Sequence, residues 1–143
     1  MRLSPHFTLS ELTQTSTGRD NTPTDTEIGT LQVLVDEVLE PLRVALGVSV
    51  RVTSGYRSPE VNAAVGGAAS SQHTEGEAAD IWVEGMAAED LARKIVGLGL
   101  VFDQLIVERD APAERWVHVS YRAGRCRNQM LRKTAGGYVK WAP

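Results

Sequence analysis

The residues in this chain best suited to chemistry are two histidines and an aspartate. Histidine is rare, with three copies in 143 residues, and His73 is followed by Asp80 and much later by His118. Zinc binds imidazole and carboxylate ligands where thiolates are missing, and a catalytic site uses three protein ligands. Cys126 is the single cysteine, so it forms neither an internal disulfide nor a thiolate cluster. Taken one at a time, these residues have ordinary alternatives as core, capping or solvated groups.

The segments around the aspartate and the last histidine alternate in the manner of half-buried strands. A strand over 78–84 places Asp80 on the face opposite Ile81. A strand over 116–121 places His118 on one face, together with Ser120, and its other face carries Val117, Val119 and Tyr121. These faces are compatible with a shared metal site.

The remaining pattern predicts one α+β domain over 1–143, beginning with an arm over 1–22. A capping box at Thr24 starts a long amphipathic helix that ends near Gly47 and is bent at Pro41. The other predicted elements are a strand over 48–53, a helix over 59–65, a small-residue loop over 66–71, a helix over 87–98, a strand over 101–108, a connection over 109–115 and two short strands within 129–141.

Composition argues against several classes of protein. The net charge of -3 does not favour nucleic acid or an anionic membrane as a partner. The first residues lack the pattern of a signal peptide, and no run of about 18 apolar residues occurs. We therefore expect a cytoplasmic monomer without membrane insertion. The basic residues late in the chain indicate either a solvated surface or a rim facing a substrate; they are Arg122, Arg125, Arg127, Arg132 and Lys133.

Four short motifs lie along nearly the whole chain. They are Phe7-Thr-Leu-Ser-Glu-Leu12, Ser54-Gly-Tyr-Arg-Ser-Pro59, Ser71-x-His-x-x-Gly-x-Ala-x-Asp80 and Trp116-Val-His-Val-Ser120. Together they resemble the zinc D-Ala-D-Ala carboxypeptidase family, most closely its branch of small cell-wall peptidases. The resemblance implies an α+β fold with a small antiparallel sheet flanked by helices, similar to the hedgehog signalling domain. It also implies cleavage of bacterial cell-wall peptides.

The resemblance assigns roles to individual residues. It makes the two histidines and the aspartate of the opening paragraph the zinc ligands. Arg57 matches an arginine that binds the substrate's carboxylate or backbone, which suits the fork of a guanidinium. Ser71 matches a serine that orients the substrate or the metal shell. Gly76 and Ala78 are expected to leave room for backbone near the metal and its substrate.

One position departs from the family pattern. Well-studied branches place an acid three residues before the second histidine to act as the general base, but this chain has Arg115 there. Arginine cannot accept a proton. Glu114 shares the face of His118, yet lies four strand residues away, or about 13 Å.

Glu108 is the better candidate for the base. If a hairpin pairs Glu108 with Trp116, Ile106 lies opposite His118, and Glu108 becomes a diagonal neighbour at about 7–8 Å. Such a carboxylate reaches a water attacking the substrate. Gln104 on the same face is expected to hydrogen-bond the substrate.

The resemblance therefore implies a zinc-dependent peptidase that hydrolyses a bond involving D-amino acids in peptidoglycan stem peptides. It could act as a carboxypeptidase or an endopeptidase, and a phage or prophage endolysin reaching the wall by a separate route is expected. The alternative is a non-catalytic zinc module that binds the wall or a partner, which Arg115 keeps open. Nucleic-acid binding through the late arginines disagrees with the net charge.

Overall fold

The computed structural model describes residues 1–111 and 114–143, with side chains described outside 109–114. In chain order its elements are β1 (Arg2–Ser4), β2 (Phe7–Thr8), α1 (Leu9–Leu12), α2 (Asp25–Leu34), a π-helical turn (Val35–Leu39), α3 (Glu40–Leu46), β3 (Arg51–Ser54), α4 (Pro59–Ala64), a 3₁₀ helix (Gln72–Glu75), β4 (Ala78–Trp82), α5 (Ala88–Gly97), β5 (Gln104–Ala111), β6 (Glu114–Ser120), β7 (Gln129–Thr134) and β8 (Gly137–Lys140).

The long helix formed by α2, the π-helical turn and α3 begins and ends where the sequence predicts. Thr24 caps it reciprocally with Glu27, and Gly47 closes it in the left-handed conformation at φ 68°. The expected irregularity at Pro41 takes the form of the π-helical turn just before it. Proline has no N–H to donate and its ring opposes the carbonyl four residues earlier, so a wider turn relieves the conflict. Among the described residues, no helix is both long and apolar enough to cross a membrane.

A six-stranded sheet in the order β3-β4-β6-β5-β7-β8 forms the centre of the molecule. Its pairs are antiparallel except for β5 and β7, which run parallel. The predicted α+β fold with a mostly antiparallel sheet is confirmed. The parallel pair is a departure from the expected antiparallel sheet, and it places the end of the chain beside β5.

The sheet separates an apolar core from an open face. The inward residues of its central strands pack against α2, α3 and α5, which contribute Leu31, Leu42, Leu91 and Ile95. Successive strand residues point to opposite faces, so the neighbours of these core residues face outward. The inward set is Ala79, Ile81, Leu105, Val107, Val117 and Val119, all fully or almost fully buried. The outward face carries the candidate site.

The strands on either side of Pro112 come closer to it than predicted. Pairing continues beyond 108 to Arg109↔Trp116 and Ala111↔Glu114, so the connection predicted over 109–115 is wrong. Pro112, which the predicted connection contained, lies outside the described residues, as do the side chains of 109–111 and of Glu114. β3 also begins later than predicted, at Arg51.

Candidate metal centre

Two of the three predicted ligands are brought together by strand pairing. Asp80 on β4 lies directly opposite His118 on β6, and the same aspartate faces Ser54 on β3. Both ligands point to the outward face, because their neighbours on each strand point into the core. A one-residue slip of either strand would turn its ligand into the core.

The third predicted ligand, His73, lies on the short 3₁₀ helix rather than on a strand. Ser71 begins this helix, and its hydroxyl accepts a hydrogen bond from the backbone N–H of His73 at 3.3 Å. Gly76 ends it with φ 74°, a conformation that side chains rarely adopt. A Cβ at Gly76 would lie 2.9 Å from the carbonyl oxygen of Glu27 on α2. Gly76 therefore leaves room for backbone, as expected, and that backbone belongs to α2.

Gly55 fixes the ring of His73. Nδ1 of His73 lies 2.7 Å from the Gly55 carbonyl oxygen, and since a carbonyl only accepts, Nδ1 carries the hydrogen. The lone pair is then on Nε2, which is the arrangement usual for metal-binding histidines. Gly55 has no side chain because a Cβ there would lie 2.3 Å from the carbonyl oxygen of Leu12. That carbonyl accepts the Tyr56 N–H at 2.7 Å.

The ligand atoms converge on one oxygen. Asp80 Oδ1 lies 3.3 Å from His73 Nε2 and 3.1 Å from His118 Nδ1. The three residues are 4–8% exposed. One ligand atom from each lies within 4.8 Å of the others, a spacing that could hold a metal ion.

Asp80 is held in its charged form. Burial opposes the charge and raises the pKa of Asp80, but the imidazoles of His118 and His73 beside the carboxylate outweigh it and keep that pKa well below the ordinary range. The second oxygen, Oδ2, faces Arg57 Nη2 at 3.4 Å. A buried carboxylate thus retains the negative charge that a cation requires.

Arg57 lies beside the ligands and is itself held from several sides. Its Nε donates to Ser54 Oγ at 2.9 Å, and its Nη1 donates to Asn62 Oδ1 at 3.4 Å. Its backbone N–H donates to the carbonyl of His73. Asn21, missed in the sequence, ties the arm to this loop by donating to the Tyr56 carbonyl. The substrate-binding roles of Arg57 and Ser71 stay predictions; both residues line the cleft described next.

A cleft of about 750 Å³ opens over the ligands. Glu108 and Gln104 line it, as predicted from the alternation of β5. Ile106 pairs with His118 as predicted, but Glu108 does not pair with Trp116. A bulge intervenes, so Val107 faces Val117 and Arg109 faces Trp116. Bulges redirect side chains near sites, and Glu108 keeps the cleft face that its proposed role requires.

Gln104 lines the cleft and is also bonded to both neighbouring strands, β6 and β7. Its backbone N–H donates to Ser120 Oγ at 3.0 Å, and its side-chain amide donates to Gln129 Oε1 at 2.8 Å. The amide is therefore already engaged by β7. Its predicted contact with substrate stays a prediction.

The end of the chain contributes residues to the cleft that the sequence left undecided. Arg122, Arg127 and Lys133 line it, which favours the rim interpretation for these three. Arg132 instead pairs with Glu89 at 3.0 Å. The signal in the sequence was their clustering, but which of them face the cleft depends on the parallel pairing of β7 with β5.

The donor set fits zinc. Two imidazoles and one carboxylate form a set typical of zinc sites that lack thiolates. The outer nitrogen of His73 and the outer oxygen of Asp80 are both engaged, by Gly55 and Arg57, which orients the ligand atoms inward. His73, Asp80 and His118 are the residues that would hold the ion.

Fold and site together define a candidate site for one metal ion on the sheet of an α+β domain. A sequence model of the family described as Peptidase M15 matches residues 5–120, well over half of the chain. The chain belongs to peptidase family M15. This confirms the resemblance found in the sequence, and family membership implies zinc-dependent peptidase activity. No curated protein sequence matches the chain.

Proposed function

We propose that this protein is a zinc-dependent peptidoglycan peptidase that hydrolyses a bond involving D-amino acids in stem peptides. The observation that carries the proposal is the convergence of His73, Asp80 and His118 at the floor of an open cleft, in a chain of a peptidase family. An open cleft suits an extended peptide. The specificity for D-amino acids comes from the resemblance of the motifs.

The chain's own residues have distinct tasks in such a hydrolysis. When bound, zinc polarises a scissile carbonyl and lowers the pKa of a bound water towards about 7. Glu108 accepts the proton of the attacking water at its carboxylate and returns it to the leaving amine. Lys133 Nζ lies 3.6 Å from Glu108 Oε2, so the carboxylate is oriented from the neighbouring strand.

Arg57 is proposed to bind the substrate's carboxylate or backbone. Ser54, Asn62 and Asp80 already orient its guanidinium, so little conformational freedom is lost when a substrate binds. Ser71, at the start of the 3₁₀ helix, presents its side chain to the same cleft.

Digestion of purified peptidoglycan by zinc-loaded protein tests the proposal. We expect about one zinc per chain, and mass spectrometry of the released muropeptides identifies the bond that is cut. His118→Ala should remove both zinc and hydrolysis. His6→Ala is the matched control, because His6 contacts Glu40 at 2.7 Å and does not line the cleft. Hydrolysis that survives His118→Ala would contradict the mechanism.

A non-catalytic zinc module is the second candidate, and Arg115 is the observation that favours it. Arg115 is half-buried on β6, three residues before His118, where branches of the family carry the acid. The same experiment separates the two functions. Binding of the zinc-loaded protein to wall sacculi without release of any muropeptide would establish the module.

A lytic role is the finer proposal. Added from outside to cells with a permeabilised outer envelope, the protein is expected to lower culture turbidity, and His118→Ala is not. Unchanged turbidity, despite cleavage of isolated wall, would argue against a role in lysis.

A further inference from the structure

The end of the chain forms one wall of the cleft. The family match stops at residue 120, and the parallel pairing of β7 with β5 then brings Leu131 and Lys133 beside the site. Arg122 and Arg127 precede this strand and line the same cleft. The matched region therefore supplies the metal ligands, while most of the cations of the cleft come from beyond it.

Arg127 is anchored from behind by a buried acid. Its Nε and Nη2 donate to the two oxygens of Asp103 at 2.8 and 2.9 Å, and its backbone N–H donates to Oδ1 at 3.0 Å. Asp103 is fully buried and also accepts from Gln72 at 2.8 Å. The Arg127 side chain nevertheless remains 53% exposed. One edge of its guanidinium is fixed, and the other is open.

Arg122 repeats this arrangement with a different acid. Its Nε and Nη2 donate to Glu77, with Nη2 at 3.0 Å from Oε1. The carboxylate of Glu77 is 14% exposed and the side chain of Arg122 is 33% exposed. Within the described part of the chain, Nη1 of neither Arg122 nor Arg127 has a hydrogen-bond partner. Each arginine thus presents unused N–H groups in a fixed orientation.

Arg122 and Arg127 differ from the other cations of the cleft in where their acidic partners lie. The other cations of the cleft face acids that line it too, Arg57 beside Asp80 and Lys133 beside Glu108. Asp103 and Glu77 are not among the residues that line the cleft. Arg122 and Arg127, which we call the arginine pair, are therefore anchored by acids that lie outside the cleft. Their remaining N–H groups are left to interact with a molecule that binds in the cleft.

We propose that the arginine pair is a subsite for a second carboxylate of the substrate, so that the enzyme prefers stem peptides with a free carboxylate over their carboxamide forms. The inference rests on the proposed function and adds the substrate class. A guanidinium with a free edge binds the two oxygens of a carboxylate in a planar geometry, whereas a carboxamide offers one acceptor and no charge.

Two matched pairs of stem peptides test the subsite. The first pair carries D-glutamate with a free α-carboxylate or D-isoglutamine. The second carries meso-diaminopimelate or its amidated form. For at least one pair we expect kcat/KM to be about tenfold higher for the acid, mainly through a lower KM. A tenfold ratio is about the contribution of one hydrogen bond to a charged group.

The variants remove the charges of the arginine pair, and the second of them also neutralises Asp103, which would otherwise stay buried and unpaired. Arg122→Gln and the double change Asp103→Asn with Arg127→Gln should reduce the acid preference, measured as the ratio of kcat/KM for acid and amide on the same variant, towards onefold. Arg93→Gln is the control, because it removes one ion-paired arginine from α5, away from the cleft. Equal rates for both members of each pair in the wild type, or a preference that both variants retain, would overturn the subsite.

A binding measurement separates this inference from the proposed function. If the wild type cleaves no peptide, the zinc-loaded protein is titrated with the same pairs and followed by the Nε–Hε resonances of Arg122 and Arg127. Stronger binding of the acid that shifts these resonances would support the arginine pair while the peptidase proposal fails. Equal binding of acid and amide overturns the pair, whether or not the protein is a peptidase.

Discussion

The metal cluster and the arginine pair lie in one cleft but are built in opposite ways. His73, Asp80 and His118 are at most 8% exposed, and the charge of Asp80 is balanced by Arg57. The arginine pair keeps 33% and 53% of its side chains exposed and is balanced by acids behind it. The cluster is thus suited to a fixed geometry for one small ion. The arginine pair is suited to binding a charged group of the substrate, in an interaction that water and salt still weaken.

The two regions share one structural link. Gln72, next to His73 on the 3₁₀ helix, donates to Asp103, the anchor of Arg127. A hydrogen bond between a buried amide and a buried carboxylate is strong in a low dielectric. The orientation of His73 and the orientation of Arg127 therefore both depend on Asp103.

Glu108→Gln is expected to give the largest effect on activity. It removes the proposed general base but leaves the metal cluster and the arginine pair in place. The amide cannot accept a proton, so kcat should fall by about 10²–10⁴-fold. Zinc content and the acid preference in KM should stay unchanged. Single-turnover kinetics and metal analysis measure these quantities together.

Glu60→Gln serves as the matched control. Glu60 forms an exposed ion pair with Arg19 at 3.5 Å, and surface pairs contribute little. A kcat for Glu108→Gln within a few-fold of the control would mean that another group is the base.

Gly67→Ala tests the rigidity of the metal side. A Cβ at Gly67 would lie 2.0 Å from Asn62 Oδ1 and 3.2 Å from Arg57 Nη1. Asn62 is buried and donates to the Ala68 carbonyl at 2.8 Å, so it has little room to yield. We expect a loss of about 3 kcal/mol in the free energy of unfolding, measured by denaturant titration, with weaker substrate binding through Arg57.

Gly29→Ala is the control for that substitution. Gly29 lies within α2, and a Cβ there would meet nothing within 4 Å. Alanine is the better helix former, so stability should rise by about 0.5–1 kcal/mol. Equal stabilities for Gly67→Ala and the wild type would show that the loop beside Arg57 adapts.

Sequence reasoning reached the metal cluster because its determinants are local. The alternation around Asp80 and His118 predicts which face each side chain takes, and the resemblance of the motifs identifies the three ligands. The pairing of the two strands is added by the structure. The role of Gly55 could not be predicted in this way. Its carbonyl oxygen accepts from the ring of His73, and the space that a side chain would need is filled by Leu12 of the arm. Both constraints join segments far apart in sequence.

The same limit explains the errors in the second half of the chain. The pairing of Ile106 with His118 was predicted correctly, while the bulge at Glu108 has no signature in the alternation of β5. The late arginines were recognised as a cluster, but the sequence did not predict which of them face the cleft. Their direction depends on the parallel pairing of β7 with β5, on the side of β5 away from β6. Parallel pairing between distant segments leaves little local pattern.

Asp103→Asn tests the anchor of the arginine pair through pH. Hydrogen bonds from Arg127 lower the pKa of Asp103 to about 2, although burial opposes the charged form. A carboxyl whose pKa is lowered on folding stabilises the protein above its unfolded pKa of about 3.9, and this stability is lost as the pH falls towards 2.

The asparagine variant should therefore be less stable than the wild type by roughly 2 kcal/mol at pH 7, given 1.36 kcal/mol for each unit of pKa difference. The difference should shrink towards zero near pH 2. Denaturant unfolding of the metal-free proteins across this range measures it, since protonation of the metal ligands then affects both proteins alike. A difference that is constant with pH would show that Asp103 acts through packing rather than charge.

Ionic strength should affect the arginine pair but not the metal cluster, and this is the smallest of the predicted effects. Raising the ionic strength from about 0.1 M to about 1 M shortens the Debye length from about 10 Å to about 3 Å. The half-exposed arginine pair is screened, so its preference for acidic peptides should fall from about tenfold to about threefold. The buried cluster is screened much less, so zinc content should not change. In Arg122→Gln the remaining ratio should vary less with salt than in the wild type. A wild-type ratio that is independent of salt would mean that the acid preference arises from buried contacts near the metal, and the contrast between the two regions would no longer hold.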